Sequence, residues 1–121
     1  MKYHTAVAVE LMQDGVPVTS ALHNIDTCSL SASEKVLLQF VDKVNHHSPS
    51  IRAYDIQALH AVGWSDAAIY DAITVCALFN FYNRWIDANG VHPMSDEAHQ
   101  KFGLGTAQNG YIHRPLGEND D

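Results

Sequence analysis

Apolar residues along this chain recur mostly at the three- and four-residue spacing of helices. No alternation of apolar and polar positions lasts long enough to make a strand. Over residues 3 to 13, Ala6, Val7, Val9 and Leu11 give a helical stripe that Gly15 and Pro17 are expected to end. Residues 18 to 26 are ambiguous and suit a short helix carrying Ala21, Leu22 and Ile25. Ser31 and Glu34 then form an S-x-x-E capping box ahead of Val36, Leu37, Phe40, Val41 and Val44. That helix is expected to stop before Pro49. Ile51, Ile56, Leu59 and Val62 mark a further helix with Gly63 as its stop.

The longest element is predicted over residues 66 to 88, with Ser65 as N-cap and Gly90 as the closing glycine. Apolar residues surround nearly every face of it. Such a helix is central in its fold or lies at a subunit interface. After Pro93 the pattern weakens. "SDEAHQKF" reads as a short capped helix, "GLGTAQNGY" as a glycine-rich loop, and residues 113–121 as a flexible acidic tail containing Glu118, Asp120 and Asp121. The expected fold is all-α, one domain over residues 1–112.

Composition narrows the partners. The net charge is −7, and no cluster of Lys and Arg is available to grip a phosphate backbone, so nucleic acid is not an expected partner. No leader pattern or 18-residue apolar run occurs, which gives the expectation of a cytoplasmic protein with no membrane partner. Charged residues are only 17%, low for a soluble domain, which hints at surface hidden in a homo-oligomer. The two cysteines stand 48 positions apart, so no C-x-x-C exists within these residues. Cys76, in an apolar run, is expected to be a buried structural thiol, and Cys28 an ordinary thiol near a surface turn. Eight histidines raise the question of a metal. No H-x-x-x-H occurs and adjacent His46 and His47 diverge on a helix, so scattered surface histidines, with no metal or cofactor, are expected.

"FNFYNRWID" carries the chemistry that composition alone leaves unexplained. Asn80, Asn83 and Arg84 fall in the most apolar stretch at spacings that let them meet on one side of a helix. Buried polar groups cost about 1–3 kcal/mol each when unpaired. These three are therefore expected to bond to a carboxylate such as Glu10 or Asp87, to backbone, or to another subunit. They either orient helices or line and support a pocket. His4, at the start of the first helix, is the remaining candidate.

Three segments carry a resemblance: L-S-x-x-E-K-x-L-L-x-F at residues 30–40, D-I-x-A-L-x-x-x-G-W-S-D-x-A-I at residues 55–69, and F-N-x-x-N-R at residues 79–84 followed by Gly90-Val91. Together they resemble the peroxidase-related branch of the carboxymuconolactone decarboxylase / alkylhydroperoxidase D-like (AhpD-like) family, over about residues 4 to 91. The resemblance implies an oligomeric AhpD-like helical bundle and, by family, a thiol-dependent hydroperoxide reductase in antioxidant defence. Redox-active members carry E…C-x-x-C-x-x-x-H. There a lowered-pKa thiolate attacks the hydroperoxide, and the second thiol resolves the sulfenic acid. His4 matches the motif histidine. The matching cysteines would fall ahead of Met1, so this chain is expected to be inactive as a peroxidase. Cys28 and Cys76 do not match the motif cysteines. Two further readings remain open. One is a cysteine-independent lactone decarboxylase-like enzyme with His4 as general base and Arg84 or Asn80 aiding an anionic substrate. The other is a non-catalytic oligomeric scaffold or small-molecule binder.

Overall fold

The computed structural model describes residues 2–12 and 15–111. Gln13 and the predicted acidic tail lie outside the described residues. Among those described there are six α-helices, one short 3-10 turn and no strand, so the all-α expectation holds. The helices are α1 (Lys2–Met12), α2 (Gly15–His23), α3 (Ala32–His47), α4 (Ala53–Ala61), α5 (Asp66–Ala88) and α6 (Asp96–Asn109). Two compact units emerge, Met1–Val18 with Pro93–Asp121, and Thr19–His92.

The Thr19–His92 unit is built on α3, α4 and α5. Ser31 caps α3: its hydroxyl accepts the Glu34 N–H at 3.2 Å, and its own N–H donates to the Glu34 carboxylate at 2.9 Å. This reciprocal box satisfies donors that a helix start otherwise leaves open. The Ser31 hydroxyl, donating to the Glu34 carboxylate at 2.6 Å, and then the Ser31 N–H hold the Glu34 carboxyl below its ordinary value. Phe40 of α3, Leu59 of α4 and Ile69 of α5 form the buried centre, ringed by Val36, Leu37, Val44, Ile56, Trp64 and Ile73. Each of the three buried side chains contributes about 1.5–3 kcal/mol relative to exposure.

α4 ends in a Schellman motif. Gly63, at φ +97°, donates to His60 O at 3.0 Å and Trp64 donates to Leu59 O at 3.1 Å. The turn thereby presents Trp64 to the core. Its indole N–H donates to Ser33 O at 3.0 Å, fastening the α4–α5 corner to the start of α3. Gly90, at φ +69°, ends α5 in the same way, with bonds to Asp87 O and from Val91 to Ile86 O. Lys43 of α3 bonds both oxygens of Asp55 on α4 at 2.8–2.9 Å, and Asp55 also accepts the Arg52 N–H at 2.7 Å.

In the other unit α1 packs along α6. Val7 of α1 and Gly103 and Thr106 of α6 are buried. The predicted glycine-rich loop is here the second half of α6, which corrects that expectation. Glycine in a helix costs roughly 1 kcal/mol relative to alanine, and Gly103 is one of the buried residues of α6, which packs on α1. The helix stops only at Gly110, φ +75°. The expected stop at Gly15 and Pro17 is corrected in part. α1 does end ahead of them, at Met12, but both residues belong to the first turn of α2. Proline is tolerated there because a first-turn amide has no intrahelical partner.

Candidate functional site

Most of the motif residues turn out to build the fold. Glu34 and Asp55 cap helices, Phe40, Leu59 and Ile69 are core, and Gly63 and Trp64 make the α4–α5 corner. The F-N-x-x-N-R segment has no such duty. It lies in the second half of α5, beyond the last core contact at Ile73.

There the Asn80 amide is the hub of a polar chain. Its nitrogen donates to Asn45 Oδ1 on α3 at 2.6 Å and to Cys76 O at 3.0 Å. Its oxygen accepts from the Arg84 guanidinium at 2.6 Å, and the same guanidinium nitrogen donates to Asn80 O at 3.0 Å. Asn80 is half-buried, whereas Asn83 and Arg84 are exposed. The expectation of three buried polar groups seeking a carboxylate is corrected. Arg84 is exposed and bonds to the amide below it rather than to Asp87. Asn45 was missed from sequence. Its position four residues after Val41 puts it on the same side of α3, but nothing local marks it as a partner of Asn80.

The chain of amides borders an open groove of about 520 Å³ between α3 and α5. Val41, Ala72, Val75, Phe79 and Cys76 line it, with Asn45, Asn80, Asn83 and the carboxylate of Asp71 as its polar residues. An apolar hollow with a few convergent polar groups is the usual form of a small-molecule site. Arg84, bonded to Asn80, is not part of the lining, and the charged side chain on the wall is Asp71.

The thiols exchange their expected roles. Cys28 is buried at 4% exposure, its Sγ donating to Ile25 O at 3.0 Å, while Cys76 is the partly exposed thiol on the groove wall. The turn holding Cys28 is pinned to α3 by Lys35 to Asp26 O and Gln39 to Asp26 Oδ1, which is why it is covered. Asn80 Nδ2 lies 3.7 Å from Cys76 Sγ.

His4 lies in the α1–α6 unit, its Nδ1 3.2 Å from Tyr111 Oη. Partial desolvation, and then the positive amino terminus, hold its pKa below the ordinary histidine value. The structure thus groups His4 with Tyr111, and Asn80 and Arg84 with Asn45. His46 sits against Asp42 and His60 against Asp66. Among the described residues no three metal-ligating side chains converge, and no single helix is long and apolar enough to cross a membrane.

No family model, no curated protein and no solved structure matches this chain.

Proposed function

We propose that this chain is a peroxidase-related, AhpD-like protein, by family a thiol-dependent hydroperoxide reductase, whose 121 residues hold a small apolar molecule but do not themselves turn over peroxide. The observation behind this reading is the groove whose apolar walls meet the Asn45–Asn80–Arg84 chain. The apolar wall suits the organic part of a hydroperoxide or its alcohol product. Asn83, on the wall, has an amide for the oxygen end. Peroxide reduction by the family route needs a second thiol to resolve the sulfenic acid. Cys76 has no cysteine within a C-x-x-C spacing, and Cys28 is buried against a carbonyl.

The test is hydroperoxide consumption driven by a dithiol reductant, with cumene hydroperoxide as substrate. The chain and its Cys28→Ser, Cys76→Ser form should consume it at the same rate. Robust turnover lost in the double variant would overturn the assignment. Binding is read separately by NMR titration with cumyl alcohol, which should move the Asn80 and Asn83 side-chain amide signals. Saturating ligand that leaves them in place refutes the groove as the site. The non-catalytic small-molecule binder is the second reading, favoured by the same lone thiol on the groove wall.

A further inference from the structure

The groove between α3 and α5 has two unlike ends. Every residue that lines it belongs to the Thr19–His92 unit. Asp71, Val75, Phe79 and Asn83 follow one another four positions apart, so they form one row along the α5 wall. The row starts at a carboxylate, crosses two apolar side chains and ends at an amide. Val41, from α3, and Cys76 widen the apolar middle. Among the described residues, neither the Asp71 carboxylate nor the Asn83 amide has a hydrogen bond or ion pair. No Lys, Arg or His lines the groove. Arg84, outside the lining, is bonded to Asn80 near the amide end. The potential along the groove therefore favours positive charge at the Asp71 end, in a chain whose net charge is −7.

We propose that the groove takes an amphiphilic cation, an apolar body with an ammonium for Asp71 and a hydroxyl for Asn83. This rests on the groove as the ligand site proposed above and adds the charge and length of what it holds. The carboxylate only accepts, which suits the N–H donors of an ammonium, whereas the amide both donates and accepts, which suits a hydroxyl. An anion is repelled by Asp71, and a wholly apolar molecule leaves both end groups unused. Asp71 and Asn83 are twelve positions apart, about 18 Å along the helix axis. With about 3 Å at each end for a hydrogen bond, the ligand spans about 12 Å, close to an extended eight-carbon chain with its end groups. Asp71 is exposed, so its pairing with the ammonium acts on the scale of a surface ion pair, up to about fivefold in affinity. The apolar middle supplies the rest.

Three probes test it. Each is an eight-carbon chain with a hydroxyl at one end and an ammonium, a hydroxyl or a carboxylate at the other. They are titrated into the full chain at low salt and neutral pH, with the Asn83 side-chain amide and the Asp71 backbone amide followed by NMR. The amino alcohol should bind about three- to fivefold tighter than the diol, and the hydroxy acid should bind weakest. Asp71→Asn, at an exposed position with no bond to lose, should keep the helical circular dichroism and make the amino alcohol and the diol bind alike. Asp87→Asn, which removes an exposed α5 carboxylate outside the groove, should leave the preference in place. A diol or hydroxy acid that moves the Asn83 signal and binds as tightly as the amino alcohol overturns the proposal, while the groove stands as a site for other molecules. So does a preference that survives Asp71→Asn or is lost equally in Asp87→Asn. If none of the three moves the Asn83 signal at saturating concentration, the groove itself falls as a site, and this proposal with it.

Discussion

Leu59→Ala is the sharpest probe of how the Thr19–His92 unit is held together. Leu59 is at 0% exposure, the one large side chain wholly enclosed among those described, and it meets Phe40 and Ile69 at the centre of the cluster. Removing its three outer carbons forfeits their transfer energy and leaves a cavity. The walls cannot close easily. Trp64 is held by its bond to Ser33 O, and α4 is fixed at one end by Asp55 and Lys43 and at the other by the Gly63 turn. The cost should therefore lie in the middle or upper part of the range for leucine truncation, about 3–4 kcal/mol. For a chain of this size that would lower the melting temperature by roughly 10–20 °C, a large share of a typical stability. Urea unfolding followed at 222 nm gives the number, with an unchanged m-value showing that the mutation acts on stability alone. A cost under about 1 kcal/mol would refute the reasoning, because it would mean the site is neither enclosed nor rigidly walled.

Ser65→Ala should destabilise α5 by about 1 kcal/mol in the same assay, since the Ser65 hydroxyl accepts the Ala68 N–H. The Lys43–Asp55 pair makes stability depend on pH at both extremes. The hydrogen bond from Lys43, and then that from the Arg52 N–H, lower the Asp55 pKa. Its contribution is full above the ordinary value of 3.8 and is lost as pH falls through the lowered folded value. Asp55, as hydrogen-bond acceptor, raises the Lys43 pKa, so that contribution is full below 10.5 and is lost as pH rises through the raised value. Asp55→Asn should flatten the acid limb in urea titrations between pH 2 and 5, at about the pH where carboxylates protonate. Thiol labelling of the native chain should be biphasic. Cys76 should react first and Cys28 about tenfold or more slower, because Cys28 is reached only through local opening. A Cys28 that reacts as fast as Cys76 contradicts its burial.

What could be read from the chain was local. The Ser31–Glu34 box, the Ser65 cap, the glycines at 63 and 90 and the periodic cores of α3 and α5 are each decided within one or two turns of backbone. A cap or a left-handed glycine needs no distant partner to be recognised. Phe40, Leu59 and Ile69 were legible as apolar members of helical stripes for the same reason. Asn80 and Arg84 could be singled out because polar groups among aromatics must bond to something. Their partner Asn45, 35 positions earlier, could not.

Burial, by contrast, was decided by which helix lies over which. Cys28 is enclosed because α3 reaches back to Asp26 through Lys35 and Gln39, and Cys76 is partly exposed because α3 and α5 leave a groove between them where it stands. Gly103 and Gly105 read as loop formers from intrinsic preference. The packing of α1 on α6 overrides that preference and carries the helix on to Asn109. The sequence by itself determined α3, α4 and α5 and their ends, because hydrogen bonding and backbone freedom act over a few residues. Only the tertiary structure decided that the apolar second half of α5 faces outward, because exposure depends on what the rest of the chain leaves uncovered.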